Sequence, residues 1–255
     1  MHQLADHNFR LHATRIPSLT KGMHLFKTKG LSFVDSGLNC DTFNIIHVHD
    51  SQEIEPGEIK ESVGYFRKRN LEFCLWINDH NLTPDARNEL KNAGLTRQAS
   101  EVGMIIDLTN YQLVDHPLHS NIKMADTPEI VQDYAEVIAR HWTPPDENVR
   151  SYYRSTADHY LNQENGATLL VYYHDGEPAS TVELFATDHQ TIGFYGFATL
   201  ETYRRKGIGS AMFSFAMNRA KSQGFKYAIL QATDDGIGIY KKAGFEEVTT
   251  FYEYA

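Results

Sequence analysis

Apolar and polar residues in the second half of the chain follow strand-like and helix-like spacings in a regular order. Short apolar runs predict strands, and apolar residues three and four apart predict helices. The predicted order is strand, helix, helix, three strands, helix, strand, helix and strand, at residues 121–125, 127–140, 147–163, 167–173, 179–186, 192–200, 207–223, 227–232, 233–243 and after 245. This order predicts an α/β (α+β) fold with a mixed central sheet flanked by helices.

The first half of the chain repeats part of this order. A helix is predicted over 58–69, a strand over 71–77, a helix from Thr83, and a strand over 102–108. The segment Leu90–Leu95 also parallels Tyr240–Phe245. We therefore expect an internal repeat, with an N-terminal lobe at 1–115 and a second domain at 117–255. Because few residues follow the last predicted helix, the strand over 102–108 is expected to pair with the C-terminal sheet.

A basic, glycine-containing segment joins the predicted strand over 192–200 to the predicted helix over 207–223. It reads Arg204-Arg205-Lys206-Gly207-Ile208-Gly209-Ser210. Such a turn directs N–H groups and the positive end of a helix at one point, and glycine lets a phosphate approach the backbone. The segment lacks the Gly-Lys-Ser/Thr of a P-loop, and Met212 stands where a dinucleotide fingerprint needs its third glycine. The chemistry indicated is pyrophosphate binding.

Two blocks together resemble the GNAT superfamily of N-acetyltransferases. Arg204-x-x-Gly207-x-Gly209 resembles the acetyl-CoA pyrophosphate loop, and Ile239-Tyr240 with Gly244-Phe245 is similar to the Leu-Tyr-x-x-x-Gly-Phe block of that family. Their order and spacing also match. The resemblance implies a GNAT fold in the C-terminal half and a partial, degenerate GNAT-like lobe in the N-terminal half. It further implies an acetyl-CoA-dependent N-acetyltransferase, in which the amine attacks the thioester without a covalent enzyme intermediate.

The resemblance also implies roles for individual residues. Tyr240 is expected to act as the catalytic acid toward the departing CoA thiolate, as a phenol can. The expected acetyl-CoA-binding residues lie along the pantetheine arm, around the pyrophosphate and at one further position; they are Phe197, Ala198, Thr199, Arg204, Arg205, Lys206, Gly207, Ile208, Gly209, Ser210 and Thr233. The first half lacks the glycine pattern and has Leu90 where the second has Tyr240. Only the second half is therefore expected to bind cofactor.

The general base and the acceptor are left open by the sequence. An amine must lose a proton before it attacks, and Glu183, His189 or a water can take it. The acceptor is a primary amine of a small molecule or peptide, and aromatic residues in an acidic protein suit a cationic one. The length of the acyl chain is also open. Two other functions are an inactive CoA-binding sensor or interaction module and an aminoacyl-transfer enzyme with paired GNAT-like halves.

The net charge and the hydropathy of the chain disfavour two classes of partner, nucleic acids and membranes. The formal net charge of −9 over 255 residues disfavours nucleic acid as a main partner. No run of residues approaches the roughly eighteen apolar residues of a membrane span. The first residues lack the apolar core of a signal peptide. The sequence therefore predicts neither a nucleic-acid nor a membrane partner, and it gives no indication of the oligomeric state.

Cysteine and histidine usage adds two expectations. Two cysteines, Cys40 and Cys74, give no disulfide framework, which favours the reducing cytoplasm. The thirteen histidines include close pairs such as His47 and His49, but no third ligand stands at a recognisable zinc spacing. We expect a cytoplasmic protein without a metal site.

Overall fold

The computed structural model describes residues 1–234 and 236–255. The described residues form seven α-helices, namely α1 His2–Leu19, α2 Glu58–Arg69, α3 Pro84–Asn92, α4 Pro128–Ala139, α5 Glu147–Leu161, α6 Ile208–Ser222 and α7 Ile237–Lys242. They also form eleven strands, namely β1 His24–Lys27, β2 Leu31–Asp35, β3 Ile45–Val48, β4 Cys74–Asn78, β5 Arg97–Asp107, β6 Ile122–Met124, β7 Ala167–His174, β8 Glu177–Ala186, β9 Thr191–Thr199, β10 Tyr227–Ala232 and β11 Glu246–Tyr254. The predicted α/β class with helix-flanked mixed sheet is confirmed.

The chain divides into two compact units, which are not contiguous segments. The first unit contains residues 1–105 and 231–255, and the second contains residues 106–230. In the first unit the strand order is β1-β2-β3-β4-β11-β5. β3 and β4 run parallel, whereas the other neighbours in this order are antiparallel.

The two faces of the sheet in the first unit carry alternate residues of each strand, as the pleat requires. One face supplies Ile46, Leu75 and Ile77 to a buried core that also contains residues of α2 and α3. The opposite face meets α1, where the ring of Phe9 contacts His47 with ring centroids 5.0 Å apart. The face of the sheet against α1 is therefore the more polar one.

The C-terminal strand β11 belongs to the first unit and lies between β4 and β5. Thr250 is opposite Val102, so the predicted pairing of the strand over 102–108 with a C-terminal strand is confirmed. Gly103 permits this close pairing, because a Cβ there would lie 2.7 Å from Thr249 Cγ2 and 2.9 Å from Phe251 Cε2.

The second unit has the strand order β10-β9-β8-β7-β6. β9 and β10 run parallel, and the remaining pairs are antiparallel. α4 packs against α5 and against β7, β8 and β9, while α6 packs against β8 and β9. The Thr127 side chain accepts the backbone N–H of Ile130 at 3.5 Å, so Thr127 caps the start of α4.

Several element boundaries differ from the predicted ones. α7 begins at Ile237 rather than at Thr233, because residues 233 and 236 form a turn in which the Gly236 N–H donates to the Thr233 carbonyl at 2.9 Å. Residue 235 of that predicted helix lies outside the described residues. β4 begins at Cys74 rather than at 71, and β5 begins earlier than predicted. None of the described helices combines the length and apolar character needed to cross a bilayer.

Candidate functional site

The middle of β9 departs from regular pairing with β8. Thr181 is opposite Ala198, but Glu183 is opposite Tyr195, so β9 holds one more residue than β8 over this interval. Such a bulge bends a strand and leaves backbone groups without a partner in the ladder. Gly196 lies in the bulge with φ +53°, and its carbonyl accepts a hydrogen bond from Thr181 Oγ1 at 3.0 Å.

The bulge is packed against a buried tyrosine of α4. A Cβ added to Gly196 would overlap the Tyr134 hydroxyl and would lie 3.2 Å from Tyr134 Cζ. Gly196 also has a left-handed backbone conformation, which strains residues with a side chain. Sterics and backbone geometry therefore both require glycine at this position, although the sequence analysis assigned it no role.

After the bulge, β9 ends in the three residues predicted to lie along the pantetheine arm. Phe197 and Thr199 are partly exposed, and Ala198 is buried. Ser180 Oγ donates to the Ala198 carbonyl at 2.6 Å and lies 2.8 Å from Thr199 Oγ1. These contacts with β8 fix the end of β9.

The predicted pyrophosphate loop connects β9 to α6 by a tight turn. The Nε of Arg204 donates to the Thr199 carbonyl at 3.1 Å, and Arg205 and Gly207 have positive φ of 61° and 79°. Gly207 is the N-cap of α6. The left-handed residues reverse the chain so that α6 starts beside the end of β9.

The first turn of α6 presents the features of an anion site. The N–H groups at the start of an α-helix have no partner within that helix, and the helix dipole is positive there. Ile208 is buried and anchors the turn, whereas Gly209 is partly exposed and Ser210 is exposed. The side chains of Arg205 and Lys206 are exposed just before it. The loop can therefore bind a phosphate through backbone N–H groups in a positive field.

Gly209 is not required by packing within the described residues. Its backbone has no positive φ, and an added Cβ would lie 3.7 Å from Thr199 Oγ1, an ordinary contact distance. The absence of a side chain at this position leaves the backbone accessible to a ligand.

The two residues named as candidate bases lie in different environments. Glu183 is 2% exposed on β8, whereas His189 is exposed in the turn before β9. His189 is seven residues from Gly196 along the chain, about 22–24 Å for an extended strand. Glu183 instead lies beside Tyr195 at the bulge.

A cluster of buried tyrosines is within electrostatic range of Glu183. Burial and, after it, the charge of the Glu183 carboxyl raise the pKa values of Tyr134, Tyr152 and Tyr160. Burial and the neighbouring Tyr134, followed by Glu183, do the same for the pKa of Tyr153. These phenols therefore remain neutral hydrogen-bond donors near pH 7. The sequence gives a signal for three of them, Tyr152, Tyr153 and Tyr160, which form an aromatic stripe on α5.

Thr233 and Tyr240 lie in the first unit, on either side of Gly236. A Cβ at Gly236 would lie 3.1 Å from Tyr240 Cε2 and 3.7 Å from Thr233 Oγ1. The Tyr240 ring is half-buried and tilted against Phe245, with centroids 6.1 Å apart. The turn before α7 therefore brings these two predicted site residues together.

Glu101, a carboxyl group with no role predicted from the sequence, lies within electrostatic range of Tyr240. Burial and then Glu253 raise the pKa of Glu101 to about 7. Burial and then Glu101 raise the pKa of Tyr240 to about 12. Glu101 and Glu253 share one face of the paired strands β5 and β11, since Glu101 is opposite Phe251 and Glu253 is opposite Ala99. No sequence signal could reveal this pairing.

No three His, Cys, Asp or Glu side chains come together as metal ligands within residues 1–234 and 236–255. The predicted cofactor residues from Phe197 to Ser210 form one continuous strand, turn and helix start. This combination of bulged strand, glycine turn and helix start has the backbone geometry that can accept a phosphate group.

Comparison with known proteins identifies the class. Residues 132–245 match the model of the acetyltransferase (GNAT) family. The chain therefore carries a GNAT acetyltransferase domain in this segment, and the resemblance drawn from the two sequence blocks is confirmed. No curated protein matches the chain by sequence.

Solved structures show the same fold over nearly the whole chain. A GCN5-related N-acetyltransferase from Kribbella flavida is 17% identical and has a TM-score of 0.68, with 97% of this chain and 94% of that chain covered. A tandem GNAT protein from the clavulanic acid biosynthesis pathway is 11% identical, with a TM-score of 0.62 and coverage of 92% and 83%. A GCN5-related N-acetyltransferase from Sphaerobacter thermophilus is 14% identical, with a TM-score of 0.60 and coverage of 92% and 82%. At these identities the similarity shows the fold alone.

Proposed function

We propose that this protein transfers the acetyl group of acetyl-CoA directly to a primary amine of a small molecule or peptide. One observation carries the proposal: α6 begins at an accessible glycine turn, and Gly209 has no packing reason to be glycine. A backbone that is open at a helix N-terminus suits a pyrophosphate. The family match over 132–245 supports acetyl-CoA as the molecule that carries this pyrophosphate.

The cofactor contacts in this proposal follow the loop and the strand before it. The main-chain N–H groups of residues 205–210 hold the pyrophosphate, and the exposed cations of Arg204 to Lys206 add attraction. Phe197 to Thr199 offer backbone groups to the amides of the pantetheine arm, as an added strand would. Thr233 remains a proposed further contact with the cofactor.

Two proton-handling roles complete the proposed reaction. The amine loses a proton to Glu183 directly or through water, since His189 lies in the turn before β9 and far along the chain from the bulge. Tyr240 keeps its proposed role as the donor to the departing thiolate. Its pKa of about 12 lies above that of an ordinary thiol, so its phenol stabilises the thiolate by a hydrogen bond more than by complete proton transfer.

Calorimetric titration with acetyl-CoA tests the proposal. We compare the unchanged protein with Gly209→Trp, which blocks the loop, and with Gly64→Trp as a control. Gly64 is also helical, with no atom within 4 Å of an added Cβ. Micromolar binding that is lost only in Gly209→Trp supports the cofactor site.

Turnover separates the enzyme from the other functions. Release of CoA thiol on addition of primary amines supports acetyl transfer, and a panel that includes polyamines, amino acids and peptides defines the acceptor. Binding of acetyl-CoA without turnover of any amine favours a sensor or interaction module. An absence of acetyl-CoA binding to the unchanged protein contradicts the proposal and favours aminoacyl transfer.

A further inference from the structure

The first unit contains a small polar cavity at the end of its sheet near α1. Its volume is about 120 Å³, room for about four water molecules. α1 contributes Arg10, Leu11 and Thr14, and the strand region contributes Lys27, Thr28, Ser32 and His49. Of these seven lining residues, only Leu11 lacks a polar side chain.

The cavity carries cationic groups without a neighbouring carboxylate in its lining. Among the described residues, Arg10 and Lys27 form no ion pair with a carboxylate, and Arg10 Nη2 lies 3.0 Å from His7 Nδ1. The nearest acid on α1, Asp6, is instead held by His47 Nε2 at 3.0 Å and Asn78 Nδ2 at 2.6 Å. The positive charge at the cavity is therefore available for an anion.

Two buried polar atoms near the cavity lack a hydrogen-bond partner within the described part of the chain. They are Ser32 Oγ, in a residue 2% exposed, and His47 Nδ1, in a residue 1% exposed. Ser32 lies opposite Lys27 on one neighbouring strand and opposite His47 on the other, so these side chains share one face of the sheet. An unsatisfied buried polar atom destabilises the protein, and a bound polar group would offset that cost.

We propose that this cavity binds a tetrahedral oxyanion of the phosphate class. Arg10 and Lys27 supply the charge, while Ser32, Thr14 and His49 surround the oxygens with polar groups. A planar carboxylate has two oxygens to satisfy, and this lining offers more donors than two oxygens use. The volume admits a phosphate group but not a nucleotide. None of the lining residues belongs to the proposed acetyl-CoA loop in residues 204–210, so the two sites are separate.

His49 provides a reporter for occupancy. Burial, followed by the charges of His47 and Arg10, lowers the pKa of His49 to about 4, against an opposing effect of Asp6 and of a hydrogen bond with the Leu31 backbone. An anion in the cavity favours the charged imidazolium and therefore raises this pKa. The His49 ring resonances should then titrate at higher pH when phosphate is bound.

The test is a titration of the full chain with inorganic phosphate, in a buffer that itself contains no phosphate. Binding is monitored by calorimetry and by the NMR signals of His49. We expect saturable binding and an upward shift of the His49 pKa. Arg10→Gln should weaken phosphate affinity about 10–100-fold, the scale of a lost charge-assisted hydrogen bond. Lys21→Gln removes the same charge at an exposed position outside the cavity and should leave affinity unchanged.

Further arms make the result decisive. Sulfate should compete with phosphate, whereas acetate should not. Ser32→Ala provides a second, milder variant and should weaken binding several-fold. Acetyl-CoA affinity should be the same in Arg10→Gln as in the unchanged protein, so that failure of this site and failure of the cofactor site are distinguishable. The proposal is overturned by non-saturable binding, by acetate binding as tightly as phosphate, or by a cavity that holds only ordered water in crystals grown with phosphate.

Discussion

Gly196 and Tyr134 illustrate how one residue pair shapes the bulge of β9. The glycine has φ +53°, and the Tyr134 hydroxyl occupies the space that its side chain would need. The phenol is therefore held directly against the part of the strand that departs from regular pairing. This contact links the buried tyrosines around Glu183 to the proposed acetyl-transfer site.

Gly196→Ala should destabilise the protein by about 2–4 kcal/mol, from left-handed backbone strain and overpacking. Adding Tyr134→Phe removes the overlapping hydroxyl, leaving Cζ 3.2 Å from the new Cβ. The double variant should therefore recover at least ~1 kcal/mol relative to the sum of the single changes. Urea unfolding of all four proteins measures this coupling. Strictly additive effects would show that the hydroxyl does not limit the space at Gly196.

Tyr240→Phe tests the proposed hydrogen-bond donor to the departing thiolate. The substitution keeps the ring that packs near Phe245 and removes only the hydroxyl. We expect turnover to fall about tenfold or more, the scale of a general acid, with acetyl-CoA affinity nearly unchanged. Steady-state kinetics and calorimetry on the same preparation measure both. Unchanged turnover would show that Tyr240 only packs against its neighbours. Tyr203→Phe is the control, because it removes a hydroxyl from a tyrosine that has no role in the proposed chemistry.

At the scale of elements, sequence signals predicted the helices and strands whose starts are local. Thr83 and Thr127 each accept a backbone N–H of the first helical turn, which is the chemistry that the Thr-Pro-acid pattern indicates. α1 had no comparable signal, because its buried face includes polar residues such as Asp6 and Asn8. The glycine turn before α6 is also local, and the sequence predicts it from Gly207 and Gly209. Glu101 was not predicted, because only long-range strand pairing brings it near Tyr240.

The pairing of β5 with β11 gives the protein a pH-sensitive carboxyl. The pKa of Glu101 is raised from 4.5 to about 7, first by burial and then by Glu253. Because the folded state holds this proton more tightly than the unfolded state, stability falls as the pH rises from about 4.5 through 7. Glu101→Gln removes this ionisation. The free energy of unfolding of the variant, relative to that of the unchanged protein, should therefore rise by at most ~3 kcal/mol as the pH rises from about 4.5 through 7.

Thermal unfolding between pH 5 and 8 measures this difference, at about 2–4 °C for each kcal/mol in a protein of this size. Glu246→Gln is the control, because this residue lies on the same strand β11 but is exposed. Parallel pH profiles for Glu101→Gln and the unchanged protein would contradict the raised pKa of Glu101.

At the scale of the whole molecule, the two compact units do not follow the order of the chain, because the first unit combines residues from both ends of the sequence. The internal repeat predicts a domain division at 115–117, and this division stays a prediction. In the fold, residues 231–255 group with residues 1–105, and β11 has β4 and β5 as its two neighbours. A strand with both neighbours removed loses all of its ladder hydrogen bonds and exposes its apolar residues.

Residues 117–255 expressed alone should therefore fail to fold cooperatively, since β11 loses both of its partner strands. Adding residues 1–116 as a separate chain should restore folding, because together the two pieces contain every strand of the first unit. Near-UV circular dichroism and size-exclusion chromatography of each fragment and of the mixture measure this. As a control, a flexible glycine-serine linker inserted after the exposed Asp115 in the intact chain should be tolerated, since it breaks no strand pairing. A soluble, cooperatively folded fragment of residues 117–255 would show that β11 does not depend on the N-terminal strands, and the first unit would then not be a folding unit.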